Sequence, residues 1–251
     1  MGTLFVVATP IGNLSDISKR ALDVLEKVQV IACEDTRQTI KLLNHFGIQK
    51  PLTSYHEFNE EKKAAELADQ LAGETSIALV SDAGMPGISD PGYRLVRLCR
   101  TRGITVVPVP GPNAALTALA ASGLPSDEFI FVGFLPAKKS AREQKLISLQ
   151  NVRSTLILYE APHRIEATLE DIERLLGDRE VCIAREITKL HEEFLFGRLS
   201  ELRPKVKPLG EFVIVLGGAS EVREEGPLTR EAALKKLGIT RNELYDLFFK
   251  K

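Results

Sequence analysis

The sequence predicts an α/β protein of two lobes, with a cleft between the lobes and a short helical tail. Three observations carry this reading. Short apolar runs alternate with longer amphipathic stretches over most of the chain. Loops rich in glycine and proline directly follow several of those runs, where ligands sit in α/β sheets. Beyond residue 180 the apolar runs crowd together, as strands of a mixed sheet joined by hairpins do. The expected divisions are 1–117 for the first lobe, 118–220 for the second, and 221–251 for a linker and helical hairpin.

In the first lobe the runs TLFVVA, VQVIAC, SIALVS and ITVVPV read as strands. Helices are expected over 15–27, 36–46, 60–72 and 93–102. A further helix over 113–122 closes at Gly123 and Pro125, which end helices. The second lobe reads as strands at EFIFVGF, STLILYEA, EVCIARE, HEEFLFG and GEFVIVLGG, with helices over 141–149 and 165–176. In the tail, Gly238 stands at a helix terminator position, and Thr240 and Glu243 have capping-box spacing. That pattern fits a minimal helix-turn-helix, or a helical hairpin packed on the body or on a partner chain.

Composition narrows the function. The chain has 251 residues, 44% hydrophobic and 27% charged, enough for a sizeable core. No apolar stretch approaches the ~18 residues of a membrane span, and no leader pattern precedes the first strand, so a cytoplasmic protein is expected. Cys33, Cys99 and Cys182 are widely spaced in apolar contexts and read as reduced, buried thiols. No Cys or His pair has zinc-ligand spacing, so no metal is expected. The net charge of −1 confines any nucleic-acid surface to a local patch and, taken alone, favours a small-molecule enzyme.

Three loops carry the chemistry. VVATPIGN puts Thr9, Pro10, Gly12 and Asn13 after the first strand and reads equally as a turn or a ligand loop. SDAGMPGISDPG, residues 81–92, packs three glycines, two prolines and two aspartates into one long turn. Asp82 stands at its start, placed to bond a ribose hydroxyl or an amino group. Asp90 reads as the N-cap of the next helix, with Pro91 in its first turn. VPVPGPNAA opens a helix at Asn113, a cap or a ligand contact. In the second lobe, YEAPHRI and REITKLHEEF gather Tyr159, Glu160, His163, Arg164, Glu186 and Lys189 near strand ends. Lys138, Lys139, Arg142 and Lys145 form the clearest basic patch, either a solvated helix face or a phosphate contact.

Taken together, VVATPIGNLSDIS, ACEDTR, SDAGMPGISDPG, VPGPNA, GFLP, YEAPHR and EITKLHEE resemble the bacterial small-subunit rRNA 2′-O-methyltransferase I family, within the tetrapyrrole-methylase-like superfamily. The likeness runs over residues 3–218 with the motifs in order. It implies a homodimer that uses S-adenosylmethionine to methylate a cytidine ribose in the decoding region of small-subunit rRNA, free or in the assembled subunit. It also implies cofactor contacts at Pro10, Ser81, Asp82, Ala83, Gly84, Ile88, Asn113, Ala114, Tyr159 and Leu190. Candidate bases for the ribose proton are Asp35, Glu160 and a desolvated Lys189. Arg37, Lys138, Lys139, Arg142, His163 and Arg164 are the expected RNA contacts. The rival readings are a tetrapyrrole-like small-molecule methyltransferase and a catalytically silent RNA- or nucleotide-binding module. A dinucleotide enzyme is disfavoured, since no GxGxxG follows a strand.

Overall fold

A computed structural model describes residues 1–219. The linker and helical tail expected over 221–251 lie outside the described residues.

The first lobe runs β1 (Thr3–Val7), α1 (Lys19–Lys27), β2 (Val30–Cys33), α2 (Thr36–His45), β3 (Leu52–Ser54), α3 (Glu60–Ala72), β4 (Ile77–Val80), α4 (Tyr93–Thr101) and β5 (Thr105–Val109). Its strands form one parallel sheet in the order β3-β2-β4-β1-β5. Both faces are covered. Leu4, Leu67, Leu71, Leu79 and Leu95 pack on one side, and Leu25, Ile31, Leu43 and Val80 on the other. Burial on both faces explains why these strands read as continuous apolar runs.

The second lobe follows through α5 (Ala114–Ala121), β6 (Phe129–Phe134), α6 (Lys139–Ser148), β7 (Thr155–Glu160), α7 (Ile165–Leu176), β8 (Glu180–Arg185), β9 (Glu193–Arg198), α8 (Leu199–Leu202) and β10 (Phe212–Leu216). The sheet order is β6-β7-β10-β8-β9. Only β6 and β7 are parallel; β10 runs antiparallel to both neighbours, and β8 and β9 form a hairpin. Leu146, Leu169, Ile172 and Ile214 pack on one face, and Ala118, Leu119, Ile157 and Val213 on the other.

Four local expectations change. The helix expected over 15–27 breaks: a short 3-10 turn covers Leu14–Asp16, and α1 starts only after Ser18, whose Oγ accepts from the Ala21 N–H at 3.1 Å. The division at 117/118 would cut α5, which packs against the second sheet, so the lobes part at the loop before it. Strand β3 and helix α8 were not anticipated. Among the described residues no helix is long and apolar enough to cross a membrane. All three cysteines are buried and unbridged.

Candidate active site

Strands β4, β1 and β5 are parallel neighbours, so the loops that follow them leave the same sheet edge side by side. They are also locked together. The Thr9 N–H donates to the Gly84 carbonyl at 2.9 Å, the Gly84 N–H returns to Thr9 at 3.0 Å, and the Thr9 hydroxyl donates to the Ser81 carbonyl at 3.1 Å. Gly84 takes a φ of +83°, which favours glycine. The third loop presses on β1: a Cβ at Gly111 would lie 2.9 Å from Ala8 Cβ. The first loop in turn meets the second lobe, since a Cβ at Gly12 would come within 2.5 Å of Lys189 Cγ.

Between the lobes these loops enclose a cavity of about 370 Å³, within the usual range for small-molecule sites. Ile11, Gly84, Ile88, Asn113, Ala114 and Tyr159 line it. Ile11 and Ala83 also line a second hollow of about 490 Å³, which holds Pro10, Ser81, Asp82 and Lys189. Of the expected cofactor contacts, Gly84, Ile88, Asn113, Ala114 and Tyr159 therefore meet in one cavity. Pro10, Ser81 and Asp82 sit in the neighbouring one, and Ala83 borders both. Leu190 joins neither and is 92% exposed. Asn113 caps α5, its Oδ1 accepting from the Leu116 N–H at 3.0 Å. The Tyr159 oxygen accepts from the Ala115 N–H at 3.2 Å, and its ring packs edge-on against Phe131 and Phe134.

The three candidate bases are each occupied. Asp35 caps α2 and chelates Arg37, whose hydrogen bonds pull the carboxyl down to about 2; such a carboxylate is a weak base. Glu160 is buried, accepting from the Thr168 hydroxyl at 2.6 Å and the Ala161 N–H at 2.9 Å, with Arg164 at 3.3 Å. Partial burial lowers the Lys189 pKa, but hydrogen bonds to Glu211 and Glu186 outweigh it and hold the ammonium above its usual range. Lys189 is thus the opposite of a depressed, neutral amine.

The expected RNA contacts divide similarly. Arg142 is buried against Asp171, with bonds of 2.9 and 2.7 Å, and cannot reach a phosphate. Arg164 donates to the carbonyls of Leu135 and Pro136 at 2.7 and 3.2 Å, tying the GFLP loop to the end of β7. Arg37 is 86% exposed but spoken for by Asp35. Lys138, Lys139 and His163 are exposed. Two neighbouring carboxylates have structural partners: Glu192 accepts from the Thr188 N–H at 2.6 Å, and Glu193 pairs with Arg185 at 3.0 Å.

The residue the sequence hid is Asp90. The N-cap of α4 is Gly92, at φ +154°, which leaves Asp90 facing the cavity beside Ser81. Burial pushes its carboxyl up to about 6, partly opposed by a hydrogen bond with Ser81 and reinforced by the charge of Asp82. The other acids lining the cavity, Glu160 and Glu211, have basic partners; Asp90 has none among the described residues. Among the described residues no Lys or Arg lines the cavity. A site with spare negative charge and no cation suits a positively charged ligand and repels a phosphate.

Two α/β lobes around a cleft, with ligand loops on one and a mixed sheet in the other, define a class of methyl-transferring proteins. The description "Tetrapyrrole (Corrin/Porphyrin) Methylases" matches residues 3–203. The chain belongs to that family and, within it, to the group whose curated members are called Ribosomal RNA small subunit methyltransferase I. The Halalkalibacterium halodurans protein of that name is 52% identical over 88% of this chain and 77% of its own length. The Vibrio cholerae protein is 48% identical over 97% of this chain and 90% of its own. Among solved structures, the methyltransferase CobJ aligns with a TM-score of 0.64 at 20% identity, over 87% of this chain and 95% of CobJ. Uroporphyrin-III C-methyl transferase from Thermus thermophilus, complexed with S-adenyl homocysteine, aligns with a TM-score of 0.59 at 20% identity, over 86% and 97% of the two chains. At that identity these two structures establish the fold alone.

Proposed function

We propose that this protein transfers a methyl group from S-adenosylmethionine to the ribose 2′-hydroxyl of a cytidine in the decoding region of small-subunit rRNA, working in the cytoplasm as a homodimer. The carrying observation is the set of relatives named as rRNA small subunit methyltransferases, at about half identity over nearly the whole chain. The cavity fits the cofactor. It has the right volume, apolar walls at Ile11, Met85, Ile88 and Ile187, and acids without a lysine or arginine, as a cationic sulfonium and ammonium require.

When bound, S-adenosylmethionine would supply a methyl group already activated as a sulfonium, for transfer from sulfur to the ribose 2′-oxygen with the C–S electron pair left on sulfur. The residues around it bind, orient and move a proton. Asp90 is the group for the ribose proton: its carboxyl is ionised at neutral pH yet held close enough to it to accept a proton. Gly84, Ile88, Asn113, Ala114 and Tyr159 shape the cofactor cavity, with Ala83 on its border and Ser81, Asp82 and Pro10 in the adjoining hollow. Glu160 positions, through Thr168 and Arg164, the strand end that carries Tyr159. Lys138, Lys139 and His163, just past the cavity residues Phe134 and Pro162, hold RNA phosphates. For the homodimer, the outer face of α5 offers an apolar depression around Leu116, Ala120 and Ala121.

The test is methyl transfer from labelled cofactor to small ribosomal subunits, or to their naked rRNA, purified from a strain lacking the gene. Label mapping to a ribose supports the proposal. The net charge of −1 favours a second reading, a small-molecule methyltransferase. Cofactor binding with label in a tetrapyrrole precursor and none in RNA would establish that reading instead.

A further inference from the structure

A third hollow, of about 370 Å³, lies beside the cavity and shares Ser89 with it. It is walled by Glu34 after β2, by His56, Glu57 and Phe58 in the loop before α3, and by Pro91. Its chemistry is unusual for a surface hollow. Phe58 is 88% exposed, with its ring 6.0 Å from that of His56. Asn59 accepts from the His56 backbone N–H at 2.9 Å through Oδ1, which fixes its amide so that Nδ2 donates to His56 Nε2 at 3.2 Å. Neutral His56 therefore carries its proton on Nδ1, and that buried N–H has no acceptor among the described residues. Ser89, at the junction with the cavity, holds a φ of +62°, a strained conformation for a non-glycine residue. It packs against β6, where a Cβ on Gly133 would lie 3.2 Å from its Oγ.

An exposed aromatic face beside a carboxylate does not suit a phosphate, because Glu34 and Glu57 repel it. It suits a neutral planar ring that carries an amino group. Single-stranded bases are read by stacking on aromatic side chains, and a carboxylate accepts from the cytosine amino group. We propose that Glu34, His56, Phe58, Ser89 and Pro91 form the nucleobase subsite for the methyl acceptor, a base lying on the Phe58 ring and donating its exocyclic amino group to Glu34. Its ribose then passes over Ser89 towards Asp90 and the cleft. This rests on the rRNA reading above and adds to it how the target base is chosen.

The test uses the full chain and small subunits, or rRNA, carrying cytidine or uridine at the methylated position. Phe58→Ala is expected to raise KM for the RNA tenfold or more with kcat and cofactor affinity little changed, and Phe58→Trp to restore it. Glu34→Gln is expected to cut the preference for cytidine over uridine at least tenfold. Cofactor titration and melting curves confirm that each variant is folded. If both variants keep the wild-type KM and the wild-type base preference, the subsite is overturned while the rRNA activity stands. If the wild type labels no RNA at all, the rRNA reading fails, and the subsite with it.

Discussion

Asp90 and Glu160 show how far one residue's environment decides its role. SDPG ahead of a helix is an ordinary capping pattern, so the aspartate read as a cap. Only the backbone, which hands the cap position to Gly92, turns Asp90 into the cavity. Glu160 reads as a base from its place at a strand end, yet Arg164 and Thr168, brought back over it by the first turn of α7, occupy it. Asp90→Asn is expected to lower the methyl-transfer rate at least a hundredfold and to remove a rise of rate with pH centred near 6, measured in single turnovers. The same group gives a stability prediction with a definite sign. Its pKa rises from 3.8 to about 6 on folding through burial, so its contribution is full below pH 3.8 and is lost as pH climbs through about 6. At pH 7 the folded state therefore carries a disfavoured charge, and Asp90→Asn should raise stability there by on the order of 1–2 kcal/mol. The gain should vanish in melts near pH 4.

At the scale of elements, the long periodic segments were legible and the short ones were not. Helices α2, α3 and α7 fall within a residue of their expected limits, because apolar spacing and caps mark them. Strand β3 has three residues, all half-buried, and leaves no alternation to read. Within the basic patch, sequence gives four like charges no means of parting, whereas packing separates them. Arg142 joins α6 to α7 through Asp171, and Lys138 and Lys139 face solvent. Arg142→Ala removes both bonds to Asp171 Oδ2, leaving the buried carboxylate with Arg174 as its one basic partner among the described residues, and should cost on the order of 2 kcal/mol in denaturant melts. Replacing Lys138 and Lys139 together by Ala should leave stability unchanged. In binding titrations it should reduce the slope of log affinity against log salt by about 1.5.

At the scale of the molecule, two lobes and a cleft followed from the alternation of runs, but strand order did not. Nothing local marks GEFVIVLGG as a central strand. Its five consecutive buried residues record that both faces are covered, and not which strands flank it. The convergence of three loops was legible because parallel strands share an edge. The closeness of the lobes was not, since it depends on contacts such as Gly12 against Lys189. The outer face of α5 belongs to this scale as well. For the homodimer proposed above, Leu116→Asp should give a monomer in light scattering, with the fold of each lobe retained.

The late position of β10 orders the making of the molecule in time. Every strand of the first sheet has been synthesised by Val109, so that lobe can assemble while the chain is still growing. The second sheet must wait. Its middle strand, Phe212–Leu216, is the last of the ten strands among the described residues to emerge, and until then β7 and β8 have no strand between them. Arrested chains of increasing length should gain protease resistance in two steps, the first soon after residue 109 clears the exit tunnel and the second only after residue 216 does.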